Sequence, residues 1–94
     1  MYGSMFRMRP KPGKAGELRD YIMGVKRRAP GMITAYILTE DSNGDVWGFG
    51  VFEDEKLYRA NAADPEQGQI YEHFRSLLEA DPEWHDGSIA QRPK

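Results

Sequence analysis

Apolar and polar residues nearly alternate over residues 2–9 (YGSMFRMR), with Tyr2, Phe6 and Met8 on one face and Met5, Arg7 and Arg9 on the other. A period of two predicts a first strand. Pro10, Pro12 and Gly13 stop it, since neither proline can donate to a sheet and the glycine admits a sharp turn. The period then lengthens. Ala15, Leu18, Ile22, Val25 and Ala29 fall three or four residues apart and predict a helix with one apolar stripe. Lys26, Arg27 and Arg28 would occupy its last turn, where cations suit the negative end of the helix dipole, and Pro30-Gly31 would end it. MITAYILT, 32–39, reads as a buried second strand, and Asn43-Gly44 as the turn of a hairpin. In the third strand, 46–52, Trp47, Phe49 and Val51 point one way and Val46, Gly48, Gly50 and Phe52 the other. Two glycines on one face imply that something approaches the sheet closely there, a packed helix in the first instance and a bound ligand in the second.

Asp54 can cap a short helix over 55–62. Asp64, Pro65 and Gln67 supply a helix cap, a first-turn proline and a capping-box partner for a second segment, so the helical region is broken near 62–64. Ile70, Phe74, Leu77 and Leu78 form its buried stripe and Asp81-Pro82 ends it. Glu83 to Gly87 reads as a loop before a short fourth strand over 88–92. The predicted fold is α+β: a ferredoxin-like β-α-β-β-α-β sandwich with a four-stranded antiparallel sheet, one domain over residues 1–94.

Composition narrows the function. At 94 residues the core is modest, and a partner subunit is expected to add burial, which makes a homodimer the expected state. There is no cysteine, which removes disulfides, thiolate catalysis and thiolate metal sites. A net charge of -2 argues against nucleic acid as the main partner. The charge is uneven, with eight Lys/Arg and five Asp/Glu in residues 1–47 against five and ten in 48–94. No apolar run approaches the roughly 20 residues of a membrane span, and MYGSMFRMRP lacks a signal-peptide core, so a cytoplasmic location is the default expectation.

The order of strand, KPGK turn, helix, PG, long strand, hairpin, strand ending in VFED, LYRANAADPEQ segment and amphipathic helix resembles the dimeric α+β barrel superfamily, and within it the antibiotic biosynthesis monooxygenase group. The resemblance implies that two sheets, one per subunit, pair into a barrel with helices outside, and that each subunit keeps a small apolar pocket between sheet and helices. It implies a cofactor-independent monooxygenase in one branch, in which Asn, Trp and Tyr side chains polarise a phenolic substrate that donates an electron to dioxygen. Asn61, Trp47 and Tyr71 or Tyr36 are the candidates for those roles. A haem-degrading branch uses a strand Asn, a helix Trp and a helix His. His73 falls at the place of that His, but Asn61 stands where the Trp would be and the first strand has no Asn.

His73 is a candidate base for a phenolic proton or ligand to iron, its bland alternative being a boundary histidine at the helix edge. Trp84, beside His85, is expected to plug one end of the core. Two histidines twelve residues apart match no metal motif, PGKAG lacks the phosphate-loop pattern, and no GxGxxG precedes a helix. Tyr36, Phe49, Tyr71 and Phe74 can line a flat apolar pocket for a small aromatic molecule, or can simply be core and interface.

Three functions follow. The first is a cofactor-independent monooxygenase acting on a small aromatic or quinol-type compound, with His73, Asn61 and Trp47 as its catalytic candidates. The second is a non-catalytic small-ligand-binding or stress-associated homodimer. The third is a structural dimer whose cavity is filled by its own side chains.

Overall fold

The structure is a computed structural model and describes residues 1–93. In chain order it comprises strand β1 (Tyr2–Met8), helix α1 (Ala15–Gly24), strands β2 (Met32–Thr39) and β3 (Val46–Phe52), helices α2 (Glu55–Ala62) and α3 (Pro65–Arg75), and strand β4 (Glu83–Ser88). The strands form one sheet in the order β2-β3-β1-β4, every neighbouring pair antiparallel. This is the ferredoxin-like α+β arrangement, with helices on one face of the sheet.

The turns and caps follow local chemistry. Gly44 takes the positive φ that the hairpin needs, at 74°. Gly31 also has positive φ and lies against Leu57, where a Cβ would collide with that side chain. Asp54 accepts a hydrogen bond from Leu57 N at 2.8 Å to start α2. Asp64 accepts from Glu66 N at 2.8 Å to start α3, with Pro65 at the first helical position. Gln67 does not complete a capping box, because its Oε1 faces Arg27 instead, at 3.5 Å.

Further expectations are corrected. β2 is mostly exposed rather than buried, and α3 ends at Arg75 rather than at Asp81-Pro82. α1 stops at Gly24, five residues before Ala29, and no basic residue lies in its last turn. Glycine is a weak helix former, and beyond it Arg27 is drawn to acceptors on α2 and α3. The fourth strand occupies Glu83–Ser88 rather than 88–92, because the register with β1 sets Trp84 opposite Phe6, Asp86 opposite Ser4 and Ser88 opposite Tyr2.

The core lies toward one end of the sheet. Met8 and Val46 from adjacent strands meet Leu18 of α1, Phe74 of α3, and Leu77 and Leu78 just after α3, all of them buried. Farther along the strands the helix-facing side chains alternate in size, with Ser4 and Gly50 lying between Phe6 on one side and Tyr2 and Phe52 on the other.

Candidate functional site

Strand register arranges the helix-facing side chains into rows across the sheet. One row runs Ile37, Gly48, Phe6, Trp84, and another runs Phe52, Tyr2, Ser88. Between them lies a row of small groups: Ala35, Gly50, Ser4 and, at the β4 edge, Asp86. A methyl, a hydrogen and a hydroxymethyl between two rows rich in aromatic rings make a trough across the sheet. The two glycines of β3 play different parts in it. A Cβ at Gly48 would fall within the ring of Phe6, so a neighbouring strand's phenyl, not a helix, makes the close approach there. At Gly50 a Cβ would meet only Phe52 Cε1, at 4.0 Å.

The trough floor contains an unusual polar group. Ser4 is 3% exposed, and its Oγ has no hydrogen-bond partner. Most buried hydroxyls are paired, and leaving one unpaired costs about 1–3 kcal/mol. Beside it, the Tyr58 hydroxyl of α2 donates to Asp86 Oδ1 at 2.9 Å. Arg59 donates to the Tyr2 hydroxyl at 3.0 Å, lies 3.6 Å from Asp86 Oδ2, and sits over the rings of Tyr2 and Tyr58. Tyr58 also packs on Tyr2 and edge-on to Phe52, with centroids 5.4 and 5.5 Å apart. On the other wall Phe6 lies 4.7 Å from Trp84, and Tyr71 meets Phe74 edge-on at 5.1 Å and Trp84 at 6.1 Å.

Burial raises the Tyr58 pKa above its ordinary value. The Ser4 hydroxyl opposes this by favouring the phenolate, although it does not meet hydrogen-bond geometry with Tyr58; acceptance by Asp86 raises the value further and Arg59 lowers it. A folded-state pKa above the unfolded one gives stability that is complete below pH about 10 and is lost as pH rises through the folded value. Tyr58→Phe is therefore expected to flatten the alkaline fall of the urea midpoint. An unchanged pH profile in that variant would show that Tyr58 is not the titrating group.

The residues nominated from the sequence occupy three places. Trp47, Phe49 and Tyr36 lie on the opposite, helix-free face of the sheet. There the Trp47 indole donates to Glu40, and the Arg7 guanidinium, paired with buried Asp45, sits 5.6 Å from the indole ring. Asn61 accepts from Arg27. His73 is exposed on α3 and stacks on Tyr21 of α1, with centroids 4.0 Å apart, beside an open groove of about 660 Å³. Tyr71 and Phe74 share a wall with Phe6 and Trp84, Phe74 being buried in the core. Trp47, Asn61 and His73 are thus not gathered into one cavity within a chain. His85, on β4 rather than in a loop, faces the helix-free side and lies 2.8 Å from Glu83.

Sequence reading passed over Ser4, Tyr58 and Asp86. The available signal was Ser4, a polar residue inside the otherwise apolar stripe of Tyr2, Phe6 and Met8. Among the described residues no group of three or more His, Asp or Glu is placed to hold a metal ion, and no helix is long and apolar enough to cross a membrane.

Neither a family model nor a curated protein matches the sequence. Solved structures do match the fold. A monooxygenase from the ActVA-Orf6 gene of Streptomyces coelicolor, in complex with the ligand nanaomycin D, superposes with a TM-score of 0.82 at 22% identity, covering 99% of this chain and 92% of that one. SnoaB, a cofactor-independent oxygenase from Streptomyces nogalater, gives 0.81 at 19% identity over 97% and 94%. An antibiotic biosynthesis monooxygenase gives 0.75 at 10% identity over 97% and 100%. At these identities the likeness shows the fold alone: the chain shares the α+β architecture of these monooxygenase structures.

Proposed function

We propose that the chain is a cofactor-independent monooxygenase-like protein, a homodimer joined through the bare face of its sheet, and that each subunit holds a small aromatic or quinol-type compound in the trough. One observation carries this reading: a buried, unpaired Ser4 hydroxyl in a floor of small side chains between aromatic walls. Such a floor suits a planar ring, and the hydroxyl gives that ring one polar anchor. Oxygenation at a ring methylene balances with the substrate as sole reductant: the carbon exchanges its two hydrogens for one oxygen atom, and the second oxygen leaves with those hydrogens as water.

Support for the chemistry comes from the fold neighbours, one solved with nanaomycin D and another a cofactor-independent oxygenase. Oxygen uptake with a panel of anthrones, naphthols and quinols tests it. Uptake with at least one compound is expected, and Gly50→Val, which fills the trough at a point with room for a Cβ, is expected to abolish it. Alanine variants of His73, Asn61 and Trp47 in the same assay show whether uptake depends on any of them. The separation of those three residues favours a second reading, a small-ligand-binding protein without chemistry. Binding that Gly50→Val removes, with no uptake, selects that reading; no binding of any compound sinks both.

A further inference from the structure

We infer that the chain carries a second binding site, apart from the trough, where β1 ends beside the β2-β3 hairpin, and that it takes a small zwitterion of the α-amino acid class, with the ammonium on Asp45 and Glu79 and the carboxylate on Arg9.

The site is a cavity of about 410 Å³ between Pro10 and Pro12 on one side and the hairpin residues Asn43 and Asp45 on the other, with Arg7, Arg9 and Glu79 completing its wall. Its volume falls within the range of about 300–1,000 Å³ usual for small-molecule sites. It lies just past Met8 and Val46, the last cross-strand pair of β1 and β3, with the Phe6 and Gly48 pair between them and the trough. Asp45 is 5% exposed, yet its carboxylate is only half used. Arg7 Nε donates to Oδ2 at 2.8 Å, and Nη2 lies 2.6 Å from that same oxygen. A fork that met both oxygens would occupy the whole carboxylate; here Oδ1 is left to accept from whatever enters the cavity. Asn43 is half used as well, since its Oδ1 accepts from Asp45 N at 2.9 Å and its amide N–H groups remain donors.

Arg9 and Glu79 supply the two open charges. Their backbones are joined, Glu79 N donating to Arg9 O at 2.9 Å, but neither side chain forms an ion pair among the described residues. Arg7 and Asp45 cancel each other, so the cavity presents one free cation and one free anion. A lone anion drawn to Arg9 also meets Glu79, and a lone cation drawn to Glu79 also meets Arg9. A molecule whose ammonium and carboxylate share one carbon satisfies both, and the two prolines give its side chain an apolar wall.

The test is an amide chemical-shift titration of the whole chain with L-leucine, with isopentylamine, which lacks the carboxylate, and with isocaproate, which lacks the ammonium. Leucine is expected to bind about tenfold more tightly than either analogue, the worth of one hydrogen bond to a charged group, and to shift the amides of Asn43, Asp45 and Glu79. Arg9→Gln is expected to bring leucine and isopentylamine together, and Glu79→Gln to narrow the gap between leucine and isocaproate. Both residues are exposed, so both variants are expected to keep the wild-type spectrum away from the cavity. Three equal affinities in the wild type would overturn the zwitterion, and so would a leucine preference that survives both substitutions. Saturable shifts confined to other parts of the chain, or none at all, would remove the site.

Discussion

Replacing Arg27 with alanine is expected to cost the domain about 2 kcal/mol, a fall in melting temperature of roughly 8–16 °C for a chain of this size. The Arg27 side chain is 10% exposed, and it ties the extended segment after α1 to the elbow between α2 and α3. Its guanidinium donates to Asn61, approaches Gln67 Oε1 at 3.5 Å, and lies 3.3 Å from Asp64 and 3.4 Å from Glu66. Removing it opens a void and takes a partner from each of them. The expected cost stays below that of a fully buried pair, because Asp64 and Glu66 are 42% and 67% exposed and can rehydrate. Lysine at this position is expected to recover less than half of the loss, since a single ammonium cannot serve four acceptors in a planar fork. Glu66→Gln, which removes one exposed charge, is expected to change stability by less than about 0.5 kcal/mol. Thermal unfolding followed by circular dichroism checks the series, and an Arg27→Ala melting point within a degree or two of wild type would show that the latch is not structural. Because Asp64 caps α3, a loosened elbow is also expected to weaken ligand binding in the trough more than Glu66→Gln does.

Arg27 also shows why some of the fold was legible in the sequence and some was not. Elements whose causes are local were readable. Asn43-Gly44 needs only its own backbone to make a turn, Asp54 and Asp64 cap helices that begin beside them, and the alternation in β1 and β3 correctly assigned which side chains share a face. The end of α1 was not readable, because the apolar stripe continues through Val25 and Ala29 while the groups that draw Arg27 away lie 34 to 40 residues further on. β4 failed for a similar reason. EWHDGS carries little apolar alternation, since it is an edge strand, and only its register with β1 identifies it. That misplacement hid Asp86, and with it the hydrogen bond that Tyr58 donates to it. The aromatic supply was visible at once, but its division between the two faces of the sheet had to be combined with the strand order. Trp47, Phe49 and Tyr36 belong to one face, and Phe6, Trp84, Tyr71 and Phe74 to the other or to the helices above it.

That division leads to the second large effect. The helix-free face of the sheet leaves Tyr36 62%, Leu38 58% and Met5 47% exposed, flanked by the half-buried Trp47 and Phe49. A contiguous patch of this kind is uncommon on a lone subunit, and a sheet whose second face is apolar is ordinarily covered by another layer. A second copy supplies that layer with the same patch, as a two-fold interface requires. Wild-type protein is accordingly expected to scatter light as a particle of twice the chain's mass. Tyr36 and Leu38 point away from the helices on edge strand β2, so Tyr36→Glu combined with Leu38→Glu leaves the core and the trough side of the sheet untouched. In a two-fold pairing each added carboxylate meets an apolar surface or its own symmetry mate, and a buried unpaired charge costs several kcal/mol. The double variant is expected to run as a monomer with an unchanged far-ultraviolet spectrum. Loss of its melting cooperativity would mean that the partner's burial is needed to hold the sheet together, as befits a core this small. A wild-type chain that stays monomeric from micromolar to millimolar concentration would overturn the pairing, whereas a double variant that remains a dimer would move the interface off this face.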